Sequence, residues 1–110
     1  MFDVRHYVDQ NGRRPFQRWF DDLDGFAAAR IGRSLSRLSN GNTSNVRAVG
    51  EGVCELKVDF GPGYRVYFGK DGDSVVILVG GSTKKDQQAA IMAAIRTWTA
   101  YKAAKRALRK

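Results

Sequence analysis

The stretch Glu55-Leu56-Lys57-Val58-Asp59-Phe60-Gly61-Pro62-Gly63-Tyr64-Arg65-Val66-Tyr67-Phe68 constrains this chain more than any other. Two alternating runs flank a Gly-Pro-Gly turn, the pattern of an antiparallel hairpin with one apolar face. Cys54, Leu56 and Val58 alternate with Glu55, Lys57 and Asp59, and Tyr64, Val66 and Phe68 alternate with Arg65 and Tyr67. Facing residues of such a pair point the same way, and a slip by one residue sends the polar set into the core. The register therefore predicts Cys54 opposite Phe68, Leu56 opposite Val66 and Lys57 opposite Arg65. The loop is then three or five residues long, centred on Gly61-Pro62-Gly63.

The polar face carries the chemistry. Like charges directly opposite each other destabilise a sheet. Two cations kept there beside Tyr67 predict an anion held between them. Further on, Lys70-Asp71-Gly72-Asp73 contains the Asp-Gly signal of a two-residue hairpin. It predicts Phe68 opposite Val75, Val66 opposite Ile77 and Arg65 opposite Leu78, so that three strands share one apolar face.

The remaining elements follow from period. Residues 2–8 alternate, with Phe2, Val4, His6 and Val8 on one side, and read as a strand with His6 buried. Asn11-Gly12 turns the chain, and Pro15 suits the first position of a helix. Phe16, Trp19, Phe20 and Leu23 fall on one helical face. Asp24-Gly25 interrupts. A second helix turns Ala28, Ile31, Leu35 and Leu38 inward and Arg30, Arg33 and Arg37 outward. Residues 40–45 are a polar loop, and residues 46–52 lead into the sheet. Residues 74–79 form a continuous apolar run, as expected of a strand covered on both faces. After Gly80-Gly81, Thr83 and Asp86 resemble a capping box. A last helix buries Ile91, Ala94, Ile95, Trp98 and Tyr101. Both tryptophans read as core.

The order is strand, helix, helix, three strands, helix. This predicts a single α+β domain, a small sandwich of one antiparallel-rich sheet with the helices packed on one face. The first strand is expected beside residues 74–79, parallel or antiparallel. A chain of 110 residues, 43% apolar and 11% aromatic, buries enough surface for one core. The single cysteine, Cys54, rules out an internal disulfide framework and fits a reducing cytoplasm. No apolar run reaches the ~18 residues that span a bilayer, and the amino terminus is not a signal peptide, so a cytoplasmic location with no membrane partner is expected. A lone histidine and a lone cysteine offer no metal site, and no Walker or Rossmann glycine loop is present. The net charge of +8 favours polyanions through counterion release and long-range steering.

With this order, the chain resembles the RelE/ParE superfamily of toxin–antitoxin toxins, and within it the HigB-like addiction module killer proteins. The residues that carry the likeness are Arg13-Arg14-Pro15-Phe16, the run from Val49-Gly50-Glu51-Gly52 through the Glu55-Leu56-Lys57 and Gly63-Tyr64-Arg65 blocks, residues 78–87 and Trp98-Thr99-Ala100-Tyr101. The resemblance implies a toxin that cleaves mRNA in the ribosomal A site without metal or cofactor. It implies as partner a small antitoxin, often a helix-turn-helix protein. Lys57 matches the position of a catalytic lysine, Arg65 the arginine of the Gly-Tyr-Arg motif, and Lys84 with Lys85 the basic residues after the last strand. Glu55 departs from RelE itself, which has a second lysine there.

RNA cleavage by the neighbouring 2′-hydroxyl needs a base, a cation for the phosphorane and an acid for the 5′-oxygen. Arg65 suits the second task, since its planar fork grips two phosphate oxygens. Lys57 serves as base only when neutral, a form that a neighbouring cation favours. Lys84 is the third catalytic candidate. Lys84 and Lys85 also open the last helix, where exposed N–H groups attract phosphate. Tyr67, on the same face, is placed to stack on a base. Lys85, Arg30, Arg33 and Arg37 are the further RNA-binding candidates. Each of these has a plainer reading: Lys57 and Arg65 as sheet charges balanced by Glu55, Tyr67 as a cover for the sheet, and the arginine row as a solvated helix face. Two rival functions share the resemblance: a ParE-like inhibitor of DNA gyrase, and a basic nucleic-acid-binding module without catalysis.

Overall fold

The central hairpin has the expected register. The computed structural model describes residues 1–109. Strands β3 (Val53–Val58) and β4 (Tyr64–Asp71) pair antiparallel with Cys54 opposite Phe68, Leu56 opposite Val66 and Lys57 opposite Arg65. The remaining elements are β1 (Asp3–His6), α1 (Pro15–Asp21), α2 (Gly25–Ser39), β2 (Val46–Gly50), β5 (Val75–Thr83) and α3 (Gln87–Leu108). The sheet runs β1-β5-β4-β3-β2. β1 lies parallel to β5 and the other pairs are antiparallel, so the sheet is mixed.

The chain is α+β as expected, with two corrections. Residues 46–50 form a fourth strand after the helices, so the order is β-α-α-β-β-β-β-α. Val46 and Val49 are half-buried, with exposed Arg47 and Ala48 between them, a spacing of three and not the alternation of a strand. Such a run does not register as a strand without its partner. The helices also cover both faces of the sheet, not one. α1 and α2 bury Phe16, Ala27, Ile31 and Leu38 against Leu56, Val66, Phe68, Val76 and Leu78. On the opposite face α3 buries Ala94 and Trp98 against Val53, Tyr67, Ile77 and Val79. Lys57 and Arg65 made that face read as polar, although most of its area is apolar.

Local chemistry explains the helix ends. Pro15 occupies the first turn of α1, where a missing N–H costs nothing. Asp24 caps α2, its carboxylate accepting from Ala27 N at 2.9 Å. The capping box expected at Thr83 does not form. Residues 84–86 make a 3-10 turn whose cap residue contributes no side-chain bond, and Lys84 N donates to Gly63 O at 2.7 Å. His6 is also corrected: it is exposed, with its ring edge against Phe16. Burial of part of the ring and the nearby Arg14 lower its pKa.

The β4–β5 register differs from the two-residue hairpin. Asp71 pairs with Val75, so the loop is Gly72-Asp73-Ser74, and Phe68 pairs with Leu78. Gly72 takes φ +72°, a conformation open to glycine at no steric cost. A bulge at Val79 then shifts the ladder, placing Val66 opposite Gly81 and Arg65 opposite Ser82. A strand buried on both faces has no polar set to exclude from the core, so its pattern does not specify register.

α3 is fastened at its far end by Asp71. Tyr101 donates to Asp71 Oδ2 at 2.5 Å and Lys105 pairs with Oδ1. Trp98 stacks on Tyr101 with centroids 5.0 Å apart. Burial, and then the bond to Asp71, push the Tyr101 phenol up to about 12. The folded value exceeds the ordinary tyrosine value of ~10. The contact therefore stabilises the fold below pH ~10, and this contribution is lost as pH rises toward the folded value. An alkaline absorbance titration is expected to show two late phenols, Tyr101 and the buried Tyr67, whose pKa is also raised. Tyr101→Phe should leave one late phenol. Ionisation of all four tyrosines together near pH ~10 would rule the contact out.

Candidate functional site

A buried carboxylate lies at the centre of the site. Glu55, midway along β3, faces Arg47 of β2 on one side and Tyr67 of β4 on the other. All three lie on the α3 side of the sheet, so helix and strands together enclose the Glu55 side chain, which is 2% exposed. Burying a charge this deeply is costly unless it is paired and hydrogen-bonded. Arg47 Nε donates to Glu55 Oε1 at 2.9 Å, and Gln87 Nε2, from the first turn of α3, donates to Oε2 at 2.7 Å. Arg65 Nε approaches Oε1 at 3.6 Å as a charge partner.

Arg65 is not the outward cation that alternation suggested. Its side chain is 7% exposed. Nη1 donates to Tyr64 O at 3.1 Å, and Nε is buried with no hydrogen bond. Glu55 is thus the counter-charge of Arg65, and it has no contact with Lys57. Lys57, directly opposite Arg65 in the ladder, takes the other course. It is 52% exposed and reaches only Asp59, at 4.0 Å. Arg47 is 63% exposed. Its Nε is occupied by Glu55, and it stands beside Lys57 on the wall of a groove of about 390 Å³ that Ser44, Asn45 and Gln87 also line.

Tyr67 as a base-stacking residue is corrected. It is fully buried beneath α3, with its hydroxyl 3.1 Å from Ser82 Oγ. Burial is the main reason its phenol is raised, and no face of the ring meets solvent.

The other candidates are dispersed. Lys84 comes close to Arg65: a Cβ built on Gly63 would lie 3.4 Å from Lys84 Cβ and 3.6 Å from Arg65 Nη1. Lys84 and Lys85 are exposed on the 3-10 turn. The helix-terminus argument for them fails, because the Lys84 amide is already bonded to Gly63 and α3 begins only at Gln87. Arg30, Arg33 and Arg37 are exposed on α2, across the sheet from Lys57 and Arg65. Arg30 stacks over Phe60 at 4.7 Å. Only Arg37 approaches the groove. It lines a smaller hollow of about 190 Å³ that shares Ser44 and Asn45 with it.

Arg47 and Gln87 are the site residues that sequence reasoning missed. Residues 46–49, Val-Arg-Ala-Val, do not alternate, so the chain carries no clear strand signal for Arg47. For Gln87 no local pattern existed, since its role depends on where α3 begins relative to β3. No group of three or more His, Cys, Asp or Glu side chains suited to a metal occurs among the described residues. Cys54 is half-buried against the α1–α2 core, and burial raises its thiol, which disfavours it as a nucleophile. No helix among the described residues is long and apolar enough to cross a membrane.

The arrangement has two parts. A neutralised layer of Glu55, Arg65 and Gln87 forms the floor, and two exposed cations, Lys57 and Arg47, stand above it. The groove is therefore lined by net positive charge. No protein-family model matches the chain. A protein of Haemophilus influenzae described as uncharacterized is 37% identical over 73 residues, which cover 66% of this chain and 74% of that protein. The chain belongs to the same family as that Haemophilus influenzae protein.

Proposed function

We propose that this protein is the toxin of a type II toxin–antitoxin module, a metal-independent endoribonuclease that cuts mRNA on the ribosome. The resemblance of the hairpin blocks to RelE- and HigB-like toxins supports this reading. The observation that carries it is the exposed Lys57 amine beside a second exposed cation, over a floor whose charge is already balanced. In the reaction, the 2′-oxygen attacks the adjacent phosphorus and the bond to the 5′-oxygen breaks. The products are a 2′,3′-cyclic phosphate and a 5′-hydroxyl. Lys57 takes the 2′ proton as general base, a proton from solvent water goes to the departing 5′-oxygen, and cations of the site hold the phosphorane charge. Lys84, which like Arg65 lies against Gly63, is the further candidate for that task. The partner is an antitoxin rich in Asp and Glu that covers the groove, as a +8 chain favours.

One observation favours the ParE-like reading, a toxin that binds gyrase and cuts nothing: Arg65 is tied to Glu55, so the arginine of the Gly-Tyr-Arg motif has a structural use. Brief expression without a partner separates the two. The nuclease reading expects growth arrest, new 5′ ends within translated mRNA by primer extension, and unchanged plasmid supercoiling. Lys57→Arg is expected to lose most cleavage, since arginine does not deprotonate. Growth arrest with altered supercoiling and intact mRNA would give the gyrase reading instead.

A further inference from the structure

We infer that Arg47 and Lys57 form a phosphodiester clamp, and that Glu55 is the positioning residue that holds Arg47 in it. The inference rests on the RNA-directed reading above and assigns its binding residues. Arg47 sits on an edge strand, where a long side chain is ordinarily free to turn in solvent. Here its Nε is fixed by Glu55 Oε1 at 2.9 Å, while the side chain remains 63% exposed. A guanidinium anchored at Nε still presents both terminal nitrogens, the edge that meets two phosphate oxygens together. Glu55 cannot swing away to follow Arg47, because Gln87 Nε2 holds its other oxygen at 2.7 Å and Arg65 lies behind it. Lys57 brings a second, mobile charge to the same groove. Arg65 then acts on the ligand only through Glu55, as the buried counter-charge behind the carboxylate.

The alternative is that Glu55 merely dilutes the positive field. The two pictures give opposite signs. As a diluting charge, Glu55→Gln raises the net charge and tightens binding of any polyanion. As a positioning residue, Glu55→Gln frees Arg47 and weakens binding. The probe is a fluorescent single-stranded RNA dodecamer carrying 2′-O-methyl groups, which binds without being cut, titrated by anisotropy at several salt concentrations. Wild type is expected to bind with a salt-dependent affinity. Arg47→Ala should weaken binding about 10-fold and reduce the slope of log affinity against log salt by about 0.7, the value for one phosphate on a single strand. Arg47→Lys should recover only part of the loss, and Glu55→Gln should weaken binding about 3-fold or more despite its added charge. Arg47→Ala removes a hydrogen-bonded partner of buried Glu55 and is expected to melt somewhat below wild type, so binding is compared well below either melt. Lys57→Ala, which touches only exposed Asp59, should weaken binding with a wild-type melt and keeps the test alive if Glu55→Gln fails to fold. Wild-type binding that is unchanged in Arg47→Ala overturns the clamp alone. Tighter binding by a folded Glu55→Gln overturns the positioning role. Absence of RNA binding by wild type overturns the RNA-directed reading together with the clamp.

Discussion

Arg65→Ala is expected to lower the melting temperature by roughly 12–20 °C, the equivalent of about 3 kcal/mol in a domain of this size. Alternation placed Arg65 on an outer face, where its loss would be harmless to the fold. The structure instead buries it at 7% exposure against Glu55, which is 2% exposed. Removing one partner of a buried ion pair leaves the other uncompensated, which costs about 3–5 kcal/mol. The lower end applies here because Arg47 and Gln87 still hold the carboxylate. Truncation also opens a void beside Tyr64 and Ser82. Replacing both partners by apolar groups, as in Glu55→Leu with Arg65→Met, is expected to restore most of the loss, since a well-packed apolar pair avoids the desolvation cost of two ions. Thermal melts of the three proteins decide the matter. An Arg65→Ala protein that melts within a few degrees of wild type would mean that the arginine is not part of the core. A loss of toxicity in Arg65→Ala therefore needs a melt beside it before it is credited to chemistry.

A comparable effect is expected from Gly69→Ala, a change of one methyl group. Gly69 lies on β4 directly beneath Trp98. A Cβ there would sit 2.4 Å from two indole carbons, Cδ2 and Cε2. Neither the strand backbone nor the indole can yield: the strand is hydrogen-bonded on both sides, and Trp98 is stacked on Tyr101. The helix must lift. Overpacking of this kind costs about 1–3 kcal/mol, and lifting α3 also strains the Tyr101–Asp71 and Gln87–Glu55 bonds at either end of it. We expect a loss of about 3 kcal/mol, the upper part of that range. Near-ultraviolet circular dichroism should report a loosened Trp98. Trp98→Leu in the Gly69→Ala background should recover part of the stability, although either change alone destabilises. A Gly69→Ala protein with wild-type melting and an unchanged tryptophan signal would show that α3 does not rest on this strand as described. Gly81 is in the same position beneath Trp19 on the other face, where a Cβ would meet the indole at 2.2 Å. Two tryptophans seated on two glycines thus hold the helical layers against opposite faces of one sheet.

The nearest-neighbour pattern was enough for the β3–β4 hairpin, for α1, for α2 except that Ala27 and not Ala28 is its fully buried alanine, and for the inward face of α3. In each, a strong period coincides with a clear stop: the Gly-Pro-Gly turn, Pro15, and Asp24-Gly25. Alternation on β3 and β4 separates a fully apolar side from one with charges, so only one register keeps Leu56, Val66 and Phe68 dry. The same logic has no hold on β5, where both sides are apolar, and its register depended on the Gly72 turn and the bulge at Val79. The placement of α3 across the sheet from α1 and α2 likewise depended on the packing of segments far apart in the chain, because one polar pair, Lys57 and Arg65, masked an apolar face around Tyr67. The site shows the same division. Composition and spacing identified Lys57 and Arg65 as a like-charged pair in need of an anion. That Glu55 is the counter-charge of Arg65 and not of Lys57, that Arg65 is sealed beneath it, and that Arg47 and Gln87 converge on it from an edge strand and a helix start are consequences of three-dimensional proximity. Ion pairing between β2, β3, β4 and α3 leaves no periodic trace in the chain, so these contacts become visible only once the layers are stacked.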